Sequence, residues 1–119
     1  MLNLDTHILI FAFSGELTSR EEKLLTSQRW GIAAIVLWEL AKLAQLGRIE
    51  LDIDMEEFRR FMAPIEVWPL TYDVCARIRK LDFRSDPADE LICATSMVHE
   101  VPLLTRDAKI RKSAVVPLA

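Results

Sequence analysis

Short apolar runs alternate along the chain with longer amphipathic ones. Leu2-Asn3-Leu4-Asp5 reads as a first strand that runs straight into a helix over residues 7–13, ended by Gly15. Ser19 with Glu22 predicts a capping box at the head of a second helix. Ile32-Ala33-Ala34-Ile35 is the next buried strand, followed at once by a helix over 36–46 that Gly47 closes. A short helix over 55–62 has acids at its start and arginines toward its end, as the macrodipole favours, and Pro64 stops it. Residues 65–70 form a third strand, and Thr71 caps a helix running to about Leu81. Asp86-Pro87 opens a helix to His99, residues 102–105 form a fourth strand, and Val115-Val116 predicts a short fifth at the edge.

Strands joined by helices of this length give right-handed crossovers and a mostly parallel sheet of four or five strands, covered on both faces. The expected class is α/β, and the length of 119 residues suits one domain over 1–119. No run approaches the roughly 20 apolar residues of a membrane span, and the N-terminal stretch lacks the basic start of a signal peptide, so a cytoplasmic protein is expected. Cys75 and Cys93 read as reduced, buried small hydrophobes, without zinc-ligand spacing. Half the residues are hydrophobic (51%), which suits either a tight core or an apolar patch kept for a partner chain. The net charge of −3 excludes a nucleic-acid binder that works by overall positive charge. Any such contact rests on a bound metal or on local cations, of which Arg106, Lys109, Arg111 and Lys112 near the C-terminus stand against only Asp107.

In parallel sheets, sites form at the carboxyl ends of strands. An acid stands at or near each such end: Asp5 after the first strand, Glu39 in the first turn of the helix after the second, Asp89 at the head of the helix opened by Asp86-Pro87, and Asp107 after the fourth. Asp5, Asp89 and Asp107 also have helix-capping explanations. Glu39 does not, because Val36, Leu40 and Leu43 surround it and Lys42 is poorly placed to pair with it. Two carboxylates about 5 Å apart repel by roughly 3 kcal/mol at an effective dielectric near 20. A divalent cation removes that repulsion, and oxygen-only ligands select Mg²⁺ or Mn²⁺. An acid-only site with no histidine base or cysteine nucleophile suits metal-assisted phosphodiester hydrolysis.

Four segments resemble the motifs of the PIN-domain family in order and spacing: Leu4-Asp5-Thr6-His7, Leu37-Trp38-Glu39-Leu40-Ala41, Asp86-Pro87-Ala88-Asp89-Glu90-Leu91-Ile92 and Leu103-Leu104-Thr105-Arg106-Asp107. The similarity is closest to VapC-type toxins and covers essentially the whole chain. It implies a three-layer α/β/α sandwich and a Mg²⁺- or Mn²⁺-dependent endoribonuclease acting on structured RNA such as transfer or ribosomal RNA. Asp5, Glu39, Asp89 and Asp107 match the family's acidic metal-site positions. Thr6, Asp86 and Thr105 match positions that support the acids by hydrogen bonding. It also implies a homodimer and a VapB-type antitoxin whose tail lies over the site. Arg84, Arg106 and Lys109 are the candidate RNA contacts.

Ala33 and Val36 stand where similar sequences often carry serine, Arg84 and Ser85 where a histidine is common, and Glu90 where a basic residue is common. These departures bear on substrate choice and catalytic vigour. His7 reads as a helix-face residue near the site and His99 as an exposed helix end. Trp30, Trp38 and Trp68 read as core or dimer contacts, with Trp38 assigned to the dimer interface. Two other functions compete. A signalling receiver domain shares the size and an acidic pocket but needs paired acids after its first strand. A PIN-like binding module without catalysis is compatible with the departures.

Overall fold

A computed structural model describes all of residues 1–119. Strands β1 (Leu2–Leu4), β2 (Trp30–Ala33), β3 (Glu66–Trp68) and β4 (Leu103–Leu104) form one sheet in the order β3-β2-β1-β4, with every pairing parallel. Helices α1 (Thr6–Ser14), α2 (Ser19–Thr26), α3 (Ala34–Gln45), α4 (Glu56–Met62), α5 (Tyr72–Arg77), α6 (Pro87–His99) and α7 (Ala108–Arg111) make the crossovers. The expected α/β class with a parallel sheet is present.

Alternation along β1 defines the layers. Asn3 turns toward α6, where its Nδ2 donates to Ile92 O at 3.2 Å and to Ser96 Oγ at 2.9 Å. Leu2 and Leu4 turn the other way and are equally buried, so both faces of the sheet are covered. The core joins Leu2, Leu4, Ile8, Ile32, Val36, Leu40, Ile92, Leu103, Leu104 and Ile110. Gly31 is required by packing rather than by a turn. A Cβ there would lie 2.5 Å from the ring of Trp68, which also stacks on His99 with ring centroids 5.4 Å apart. His99 itself is exposed, as the sequence suggested.

Several local expectations are corrected. The capping box belongs to Thr18 and Glu21, not Ser19 and Glu22, because Thr18 holds the extended backbone and Ser19 is already helical. β2 begins at Trp30 and ends at Ala33, which moves Ala34 and Ile35 into α3. The helix after Thr71 tightens into a 3-10 turn over Ile78–Lys80. Val115-Val116 is not a fifth strand. The Asp82 carboxylate accepts from the Ser113 hydroxyl and Ala114 N, while Ser113 Oγ accepts from Val115 N and Val116 N, and these bonds curl the chain. Pairing resumes as a single parallel bridge between Leu103 and Leu118. Cys93 is buried as expected, but Cys75 is exposed, one position off the face that buries Val74.

The Trp68–Gly31 contact gives a direct check on the packing. Gly31→Ala is expected to destabilise the fold by about 1–3 kcal/mol through overpacking against the indole, read as a lower urea midpoint with unchanged slope.

Candidate active site

Three of the four acids, Asp5, Glu39 and Asp89, each accept a hydrogen bond from a hydroxyl. Asp5 follows β1 directly and caps α1: its Oδ1 accepts from Thr6 N at 2.8 Å. Its Oδ2 accepts from the Thr105 hydroxyl at 2.6 Å, across a sequence separation of 100 residues. The Thr6 hydroxyl donates in turn to Glu39 Oε1 at 2.5 Å. One threonine therefore joins the end of β1 to α3. Because α3 begins at Ala34, Glu39 lies in its second turn rather than its first. Asp89 enters from α6, and its Oδ2 accepts from the Ser85 hydroxyl at 2.9 Å. Asp107 caps α7, its Oδ1 accepting from Lys109 N and Ile110 N, and its own N donates to Thr105 Oγ1 at 3.0 Å. Asp5 and Asp107 thus cap helices as well as standing among the candidate acids.

The supporting set differs in one place from expectation. Thr6 and Thr105 hold acids as the resemblance implied. Asp86 is exposed at the N-cap position of α6, and its side chain makes no capping bond. Ser85 holds Asp89 instead, and its N also donates to Glu90 Oε2 at 3.0 Å. A residue that resembled a departure from the family pattern is thus the one that bonds the acid. Its position four residues before Asp89 was the available signal.

No lysine or arginine pairs with Asp5, Glu39, Asp89 or Asp107. The two ion pairs in the molecule join Arg59 to Asp54 and Arg106 to Glu21. Lys42, the only basic residue near Glu39 along α3, donates to Gln45 instead. Burial pushes the half-buried Glu39 carboxyl above its usual range; the Thr6 bond opposes this, the charges of Asp89 and Asp5 add to it, and His7 opposes it. Burial likewise raises Asp89; the Ser85 bond opposes this, and the charges of Asp5, Asp107 and Asp86 add to it. The thiol of Cys93, one turn along α6, is pushed up to about 12 by burial first, then by the charges of Asp5, Asp89, Asp107 and Glu90. The acids therefore share one field, yet no three carboxylate, imidazole or thiolate groups close on a common point as ready-made metal ligands.

Of the candidate RNA contacts, Arg84 is exposed and Lys109 Nζ donates to Arg84 O at 3.1 Å. Arg106 is committed inward. Its Nε and Nη2 fork onto the two carboxylate oxygens of Glu21 at 2.8 and 2.7 Å, and its guanidinium lies 4.2 Å from the Phe11 ring centroid. That bond holds Glu21 down to about 2, against the opposing effect of its burial. Nothing local in the sequence signals this pairing.

The PIN-domain family model matches residues 3–116. The chain belongs to the PIN-domain family. It is 37% identical over 83 residues to Ribonuclease VapC22 of Mycobacterium tuberculosis, a match covering 67% of this chain and 64% of that protein, just under two thirds of its length. Among solved structures it is similar to VapBC2 from Rickettsia felis bound to a promoter DNA fragment, with a TM-score of 0.75 and 18% identity over 100% of this chain and 98% of that one. DNA-bound VapBC from Salmonella typhimurium gives a TM-score of 0.69 and 18% identity over 99% and 96%. At these identities the structures speak for the fold. Membership of the PIN family displaces the receiver-domain reading.

The raised carboxyls of Glu39 and Asp89 carry a pH dependence whose sign is fixed. Each binds its proton more tightly in the folded than in the unfolded chain. The associated stability is fully present below the unfolded-state pKa and is lost as pH rises through the folded-state value. In chelator near neutral pH, Glu39→Gln and Asp89→Asn are therefore expected to be more stable than the parent in urea denaturation. That advantage shrinks as pH falls through the folded-state value toward the ordinary carboxylate range.

Proposed function

We propose that this chain is a divalent-metal-dependent endoribonuclease and the toxin half of a VapBC-type pair. The observation that carries the reading is the group of buried and half-buried carboxylates Asp5, Glu39 and Asp89, each oriented by a hydroxyl and none paired with a lysine or arginine. Its donors are all oxygen, the class that suits Mg²⁺ or Mn²⁺. Asp5, Glu39, Asp89 and Asp107 would hold the ion. Once bound, it supplies charge neutralisation and the activation of water for attack on a phosphodiester. The protein's own part is orientation. Thr105 fixes one oxygen of Asp5, Thr6 fixes one of Glu39 and Ser85 fixes one of Asp89, so the unbonded oxygens Glu39 Oε2 and Asp89 Oδ1 keep defined directions.

An acidic pocket repels a phosphate backbone, so the RNA needs cations at its rim. Arg84 and Lys109 supply them, one beside Ser85 and the other two residues beyond Asp107. Support for the toxin role comes from the name of the curated relative and from structural neighbours that are VapBC complexes. A VapB-type antitoxin follows from the same reading. A homodimer is proposed on the exposed apolar side chains Trp38 (56%), Leu70 (52%) and Tyr72 (88%). No helix is long and apolar enough to cross a membrane, and we place the protein in the cytoplasm with its RNA.

Purified protein is expected to cleave RNA with Mg²⁺ or Mn²⁺ and to stop in excess EDTA. Asp5→Ala and Asp89→Ala each lower the rate by at least about 100-fold, beyond the range for loss of a supporting group, with an unchanged circular dichroism spectrum. Full activity in EDTA overturns the proposal. A second expectation concerns the rim: Lys109→Ala raises KM several-fold with kcat nearly unchanged. It also reduces the salt dependence of RNA binding by about 0.7 in log–log slope, the value for one contact to a single strand.

One observation favours a second reading, a PIN-like binding module without catalysis: no three ligating groups yet converge on a point. A folded protein that pairs with its partner but leaves RNA intact in Mn²⁺ would establish it.

A further inference from the structure

β4 and α7 are separated by three residues, and the side chain of each ties the turn to a different part of the molecule. Thr105 donates to Asp5, and Asp107 caps α7. Arg106, between them, reaches the opposite way. It forks onto Glu21 of α2, donates through Nη2 to Glu16 O at 3.1 Å in the α1–α2 connection, and lies over Phe11 of α1. The receiving end does not move freely. Glu21 is 6% exposed, and its Oε1 also accepts from Thr18 N at 2.9 Å within the capping box.

We propose that Arg106 is a positioning residue of the acidic site: its fork onto Glu21 holds the 105–107 turn where the Thr105 hydroxyl fixes Asp5. The inference rests on the metal-site reading above. The guanidinium acts through a neighbour and touches none of the four acids. A planar two-pronged contact fixes orientation as well as distance, which a lysine ammonium cannot reproduce. Released from Glu21, the turn loses its tie to α1 and α2 and keeps the α7 cap, the bond from Asp107 N to Thr105 Oγ1 at 3.0 Å, the Thr105 bond to Asp5 and the bond from Arg111 Nη1 to Thr105 O at 3.2 Å.

Positioning and simple charge predict opposite signs. Deleting a cation near a carboxylate cluster should tighten the binding of a divalent ion by Coulomb attraction. Loss of positioning should weaken it. Mn²⁺ titration calorimetry without RNA is expected to show Arg106→Gln binding about 10-fold more weakly than the parent, the lower end of the range for supporting groups at metal sites. Arg106→Lys keeps the charge and loses the fork. It is expected to weaken as well, and it carries the test if the glutamine variant does not fold. Asp54→Asn, which breaks the exposed pair with Arg59, should leave Mn²⁺ affinity unchanged. Unchanged or tighter Mn²⁺ binding by the folded Arg106 variants overturns the inference while the metal site stands. A parent chain that binds no Mn²⁺ overturns the metal site and this inference together.

Discussion

Glu39 and Asp89 sit half out of water, and the nearby charges acting on them are mainly those of other carboxylates. Folding would ordinarily relieve such a grouping with a lysine or arginine, which would lower both pKa values and close the site to other cations. Here the restraint is neutral. Hydroxyls from Thr6, Ser85 and Thr105 orient the carboxylates without cancelling their charge. Orientation without neutralisation leaves an electrostatic deficit that an external cation can fill, and the arginine nearest the acids along the chain is directed onto Glu21 instead.

The sheet makes this grouping possible. In a parallel sheet all strands finish at the same edge, so Asp5 after β1 and Asp107 after β4 are delivered together. Glu39 is brought in by the helix that follows β2, and the Thr6 bond sets its reach. Asp89 follows no strand. It depends on how α6 lies against the sheet, and the paired bonds from buried Asn3 to Ile92 and Ser96 help to set that. Asn3 is two residues before Asp5, so one short stretch of β1 supplies an acid and anchors the helix that carries another.

What was legible in the sequence follows from which signals are local. Strand ends and caps are local, so the places of Asp5 and Asp107 in the fold were legible, whereas Thr6 and Thr105 stood out only through the resemblance to the PIN family. Glu39 was conspicuous because apolar neighbours leave a carboxylate no ordinary reason to be there. Ser85 was misjudged because its value lies in a bond to Asp89, not in its own type. The Glu21–Arg106 fork spans 85 residues, and no pattern in either segment encodes it. Glu21 was also hidden by the assignment of the cap to Ser19 and Glu22, one residue late. Val115-Val116 has strand composition, but Asp82 and Ser113 impose a curl that propensity does not register.

The claim that these carboxylates form one cation site is tested most directly by crystals of the protein soaked in Mn²⁺ and measured for anomalous scattering. A peak at about 2.1 Å from oxygens of Asp5, Glu39 and Asp89, with Asp107 lining the same pocket, is the expected result. Crystals that take up Mn²⁺ elsewhere, with no density between Glu39 and Asp89, would contradict it.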